Sequence, residues 1–198
     1  MNVPADPALA TRVAEIEREI LSRAPEHDIV PTLDRVAAVL DMLGRPQESF
    51  RVVHVTGTNG KTSTTRLIEG LLREHGLRTG RFTSPHLHSM RERICVDGHP
   101  VAPEVFVETW DELRPIIELQ DAASQAEGGP RLTFFEVLVV LAYAVFADAP
   151  VDVAVVEVGM GGRWDATNVA DGEVAVITPV DIDHTHFLGP DIESIAAE

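Results

Sequence analysis

The sequence predicts an α/β protein with a mostly parallel sheet, helices on both faces and a small hairpin, and three stretches carry that expectation. The first is the β-branched run Val52-Val53-His54-Val55, which gives way to Thr56-Gly57-Thr58-Asn59-Gly60-Lys61-Thr62 and then to an amphipathic helical pattern. The second is Val151 to Val158, apolar almost throughout, as a strand buried on both faces must be. The third is Val174 to Thr178, an apolar strand that Pro179 ends. Strands separated by helical patterns build open parallel sheets, whose ligands lie beyond the carboxyl ends of the strands.

Taken in order, Asp6-Pro7 is a helix start, a capping carboxylate followed by proline at the first helical position. Leu9, Val13, Ile16 and Ile20 follow at helical spacing. A loop with Pro25 and Pro31 leads to a second helix carrying Leu33, Val36, Leu40 and Leu43, closed by Gly44. Both helices are expected to cover the sheet. Arg35 is expected in solvent, with contact to an anion as the alternative.

The stretch 56–62 has the parts of a phosphate-binding loop. Glycines let backbone N–H groups approach an anion, and the helix N-terminus adds partial positive charge. Thr58, Asn59, Gly60, Lys61 and Thr62 are the candidate nucleotide-binding residues, with Lys61 reaching the terminal phosphates and the Thr62 hydroxyl facing Mg2+. The general signature wants a glycine where this chain has Val55, so the loop begins later. A glycine-rich strand–helix turn without a phosphate is the alternative to ATP binding.

Arg78 to Thr83 reads as a strand that Pro85 terminates, aiming Ser84 off its end as a magnesium ligand or a turn cap. Arg93 to Val101 reads as a hairpin turning on Asp97-Gly98. A helix follows from about Pro103, kinked or split at Pro115, and Asp121 to Pro130 is the clearest loop. Thr133-Phe134-Phe135-Glu136 is a capping box opening a helix that is apolar nearly all round, hence buried. Glu157 sits near the end of a central strand, where a carboxylate is costly unless paired or facing a metal. Gly159 to Asn168 is a glycine-rich loop, and the strand at 174–178 delivers Asp181-Ile182-Asp183-His184-Thr185-His186 to the same edge. A ligand role for one of these histidines stands beside a structural one.

Composition sets the outer bounds. The 198 residues suffice for one good core. Thirty-two acidic against sixteen basic residues give a formal charge of −16, which argues against nucleic acid or an anionic membrane as partner. Cys95 is alone, so no internal disulfide forms, in keeping with a reducing cytoplasm. Met1 to Ala10 has neither a basic nor an apolar segment, so no secretory signal is expected. The longest apolar run, Val137 to Ala147, falls short of the ~20 residues a membrane span needs.

Together the motifs resemble the folylpolyglutamate synthase/dihydrofolate synthase family of the Mur-ligase superfamily. The resemblance rests on Thr56 to Thr62, on Thr83-Ser84-Pro85-His86-Leu87, on Glu157 to Asn168 and on Asp183-His184-Thr185. It implies a fold of the Mur-ligase central-domain type and an ATP-dependent amide ligase. ATP phosphorylates a carboxylate on dihydropteroate or a folate, and the amino group of L-glutamate attacks the acyl phosphate. The resemblance implies Thr62, Ser84, Glu157 and His184 as magnesium ligands, Lys61 and His184 as catalytic residues, and Thr133, Trp164, Asp165 and Ala166 along the pterin side.

The family carries a lysine shortly after the helix start at Asp191-Ile192-Glu193, carbamylated and tied to the metal site, and this sequence stops at Glu198. The expectation is therefore an N-terminal ATP-binding domain, residues 1–198, cut within its last helices and lacking the C-terminal domain that closes over ATP. A cytoplasmic monomer is expected. Two alternatives stay open. A cell-wall ligase of the superfamily would normally have a uridine-nucleotide domain ahead of the loop, and only 56 residues precede Gly57. A nucleotide-binding module without activity of its own is the other.

Overall fold

The computed structural model describes residues 6–25 and 32–198. Pro31 of the expected loop and the first five residues lie outside them. Helix α1 is Pro7–Leu21, opened by the Asp6 carboxylate, which accepts from the Ala8 N–H at 2.9 Å. Helix α2 is Asp34–Met42. It closes on Gly44 at φ 78, with Arg45 N–H donating to the Leu40 carbonyl and Gly44 N–H to that of Asp41, a Schellman ending.

Strand β1, Arg51–Thr56, leads into helix α3, Lys61–Glu74. Strand β2, Thr79–Phe82, is followed by the hairpin of β3, Ile94–Val96, and β4, His99–Pro100. The hairpin turns on Asp97 and Gly98, both at positive φ, as a two-residue turn requires. Helix α4 is Pro103–Ala126, helix α5 is Phe134–Asp148, and strand β5 is Val153–Glu157. Strand β6, Val174–Ile177, precedes two short helices, α6 at Thr185–Leu188 and α7 at Ile192–Ala197.

The sheet runs β4-β3-β2-β5-β1-β6, with β2, β5, β1 and β6 mutually parallel and the hairpin antiparallel at one edge. The sides of β2 show how it is covered. Thr79 and Arg81 reach Glu69 on α3, whereas Gly80 abuts Phe146 of α5 and Phe82 stacks at 5.7 Å from Phe135. Successive side chains point to opposite faces, so α3 and α5 lie on opposite sides of the sheet. A Cβ on Gly80 would stand 2.8 Å from the Phe146 ring, so only glycine lets α5 settle there. Every residue of β5 is buried, as its unbroken apolar run demands.

Three expectations are corrected. Helices α1 and α2 pack mainly on α4 and α5 rather than on the sheet, forming a layer outside α5, which is why α5 is apolar all round. Helix α4 is one helix with Pro115 inside it, and it continues through 121–126, leaving only 127–133 as loop. Ala122, Ala123 and Ala126 favour helix, and Asp121 is buried rather than solvated. Its carboxylate accepts from Arg23 at 2.8 Å and from the Leu132 N–H at 2.7 Å, tying together α1, α4 and the entry to α5. Arg35 is likewise buried, 6% exposed, and paired with Glu136 at 2.7 Å. Strand β6 is an exposed edge, with Ile177 72% exposed.

Candidate functional site

The carboxyl ends of β1, β2, β5 and β6 bring most of the expected residues to one side of the sheet. After Thr56 the chain turns at Gly57, φ 125, where a Cβ would fall 2.2 Å from Thr178 Oγ1. Gly60, φ 86, makes the left-handed entry into α3. The Thr58 and Asn59 N–H groups both donate to the Pro179 carbonyl at 3.1 Å, and Thr58 Oγ1 accepts from the Asp181 N–H. Two of the expected phosphate donors are therefore committed to the segment after β6. The first turn of α3, from Lys61 onward, presents the N–H groups that a helix start leaves without helical acceptors. Lys61 Nζ donates to the Gly57 carbonyl at 2.8 Å and the Thr58 carbonyl at 3.3 Å, curling over the loop it would share with an anion.

Glu157, at the end of β5 and opposite Val55 of β1, is 2% exposed. Its Oε1 accepts from Thr62 Oγ1 at 2.8 Å and its Oε2 from the Ser84 N–H at 3.2 Å. Burial pushes its pKa up, while Thr62, Ser84 and the Lys61 charge pull the other way. Three of the four expected metal ligands thus meet around one desolvated carboxylate. The Thr62 hydroxyl and the Glu157 carboxylate are oxygen donors of the kind a hard divalent cation takes, whereas Ser84 meets the carboxylate through its backbone N–H. His184 makes no hydrogen bond to this carboxylate; its Nε2 lies 3.7 Å from Asp183 Oδ2 and its side chain is half-exposed. Among the described residues no three His, Cys, Asp or Glu side chains form a metal-holding group.

Two cavities flank this cluster. One, of about 410 Å³, is lined by Ser84, Glu157, Thr133, Trp164, Asp165 and Ala166, together with Arg35, Phe135 and Glu136. The other, of about 240 Å³, follows the loop along Thr56, Gly57 and Thr58. Lys61, Gly159, Met160 and His184 border both, so the loop lysine stands at a shared wall.

Thr133 caps α5, accepting from Glu136 N–H at 3.2 Å. Asp165 lines the larger cavity, yet its carboxylate is saturated from within. Oδ1 accepts from the Thr167 N–H and hydroxyl, and Oδ2 from the Met160 N–H. Its pKa is raised by burial against those bonds and that of the Gly159 N–H. Asp165 therefore shapes the 159–167 loop as well as the cavity wall.

Two features escape sequence reasoning. Thr167 Oγ1 donates to Asp165, so at 2.8 Å it accepts from His54 Nε2, which puts a proton on that nitrogen. Burial pushes His54 down to about 4. The other is the pairing of Arg35 with Glu136; the glutamate of a capping box in an otherwise apolar helix was the signal that a cation had to meet it.

No protein-family model matches the chain. A dihydrofolate synthase/folylpolyglutamate synthase of Mycobacterium tuberculosis is 52% identical over 99% of this chain and 41% of its own length. The M. tuberculosis folylpolyglutamate synthase complexed with ADP superposes with a TM-score of 0.88 at 50% identity, covering 94% of this chain and 41% of that one. Escherichia coli FolC in complex with DHPP and ADP gives 0.82 at 35% identity, covering 96% and 43%. The chain spans about two fifths of the length of the curated relatives it matches.

Proposed function

From its match in sequence and fold to the dihydrofolate synthase/folylpolyglutamate synthase family along nearly its whole length, we propose that this chain is the N-terminal ATP-binding domain of such a ligase. The whole enzyme joins L-glutamate to dihydropteroate or to a folate. The observation that carries this reading is the shared wall at Lys61, Gly159, Met160 and His184, which sets a phosphate loop against a larger cavity with aromatic and polar walls.

ATP lies along the loop side and the carboxylate substrate in the larger cavity, its heterocycle against Thr133, Phe135, Trp164 and Ala166. Lys61 turns from the loop carbonyls to the terminal phosphates and neutralises charge as the γ-phosphoryl group passes to a carboxylate oxygen. ADP leaves, the glutamate amine attacks the acyl carbon, and phosphate departs as the amine loses its proton. Thr62, Ser84 and Glu157 would hold Mg2+, with His184 of the shared wall as the fourth candidate, and the ion when bound would neutralise phosphate charge. Gly57 and Gly60 set the loop close enough for the first N–H groups of α3 to orient the transferred group.

Among the described residues no helix is long and apolar enough to cross a membrane. The acidic charge speaks against nucleic acid as a partner, and we take the protein to be a cytoplasmic monomer. The chain spans two fifths of its relatives, which favours a domain that binds nucleotide without completing the reaction. Calorimetry and glutamate-dependent ADP release test this together. The 198-residue chain binds Mg-ATP weakly, Lys61→Ala reduces that affinity at least ~10-fold, and no amide product forms, since positioning of the amine supplies up to ~7–11 kcal/mol of such barriers. Glutamate ligation by this chain alone would overturn the domain assignment; unchanged binding in Lys61→Ala would overturn the phosphate site.

A further inference from the structure

We propose that Arg35 is a positioning residue for the larger cavity, fixing Thr133 and Phe135 through Glu136. The functional arm of the proposal rests on the reading of that cavity as the carboxylate-substrate site. Arg35 comes from α2 and Glu136 from the first turn of α5, and the two side chains are each 7% exposed. They meet side-on, Nη2 donating to Oε1 at 2.7 Å and Nε to Oε2 at 3.3 Å. The same Oε2 accepts from the Thr133 N–H at 2.7 Å, while Thr133 Oγ1 accepts from the Glu136 N–H.

Glu136 therefore does two things with one carboxylate: it closes the capping box and it receives a guanidinium. A capping glutamate is ordinarily solvated and needs no counter-charge. Here it is buried, and without Arg35 it would be a desolvated charge with no cation paired to it among the described residues. Relief requires the carboxylate to swing toward water, which releases the Thr133 N–H and loosens the first turn of α5. That turn supplies Thr133 and Phe135 to the cavity on either side of the helix start. Phe135 has little freedom to compensate, being packed on Phe82 and so close to Gly159 that a Cβ there would stand 2.7 Å from its ring. None of Arg35, Thr133, Phe135 or Glu136 borders the cavity along the phosphate loop. The effect is thus confined to one of the two ligands.

The test compares Arg35→Met and Arg35→Lys with the unaltered chain by three readouts: amide hydrogen exchange at Thr133 and Glu136, calorimetric binding of dihydropteroate, and binding of a Mg-bound non-hydrolysable ATP analogue. Arg35→Met is expected to speed exchange at both amides at least ~10-fold and to weaken dihydropteroate at least ~10-fold. Nucleotide affinity stays within about twofold. Arg35→Lys falls between, because an ammonium keeps the charge but loses the side-on pair. If Arg35→Met does not fold, Arg35→Lys carries the same comparison. Unchanged exchange in the folded variant overturns the proposal, as does an equal loss of both ligands, which would mark a purely structural pair. Faster exchange in the variants with no dihydropteroate binding by the unaltered chain supports the positioning role and overturns the substrate reading instead.

Discussion

Burying a carboxylate to 2% exposure beside a strand end costs free energy that its two hydrogen bonds only partly offset, and Glu157 carries that cost with a raised pKa. A raised folded-state pKa means the group favours folding most at low pH, and that contribution is lost as pH rises through the folded value. At neutral pH a divalent cation is the natural compensation. Glu157→Gln is therefore expected to leave the melting temperature unchanged or higher while Mg2+-dependent nucleotide affinity falls at least ~10-fold, as calorimetry with and without Mg2+ would report. A lower melting temperature with intact affinity would assign the carboxylate to the fold. His54 works in the opposite sense. Its folded pKa, pushed down to about 4, makes the neutral form part of the native state, so stability is full above about 6.5 and drains as pH falls toward 4. Urea unfolding is expected to show up to about 2 kcal/mol less stability at pH 5 than at pH 7 from this group, a difference absent in His54→Gln.

The elements most legible in the sequence were those set by local rules. Strands β1 and β5, the entry to α3 and the capping box at Thr133 follow from β-branched runs, a Gly-Lys-Thr junction and a Thr–Glu spacing, each within a few residues. What failed was set by tertiary partners. The polar run from Asp121 reads locally as loop, whereas Arg23 and the Leu132 N–H hold the Asp121 carboxylate inside the fold. Arg35 looked solvated because nothing local announces a glutamate 101 residues away. The packing of α1 and α2 on helices rather than on the sheet is invisible to periodicity, which shows that a face is apolar and not what covers it. Gly80 illustrates the same gap. As a glycine it reads as a weak strand residue, yet it sets the distance between β2 and α5. Gly80→Ala is expected to cost about 1–3 kcal/mol in urea unfolding, since the Phe146 ring must move; a neutral outcome would mean that α5 yields without loss.

At the scale of the molecule, the order β4-β3-β2-β5-β1-β6 places the end of β5 between those of β1 and β2, which is why Thr62, Ser84 and Glu157 meet although they are far apart in sequence. The same order leaves β6 as an apolar edge, and the strong negative charge opposes its pairing with another copy of the chain. The wall of Lys61, Gly159, Met160 and His184 has a thermodynamic consequence as well. Residues that border two ligands at once make each occupancy a perturbation of the other, and reciprocity then holds. Whatever factor a nucleotide applies to dihydropteroate affinity, dihydropteroate must apply to the nucleotide. A four-sided calorimetric cycle should close on one coupling factor of about fivefold or more. A factor of one would mean that the two chambers, though they share a partition, keep no account of each other.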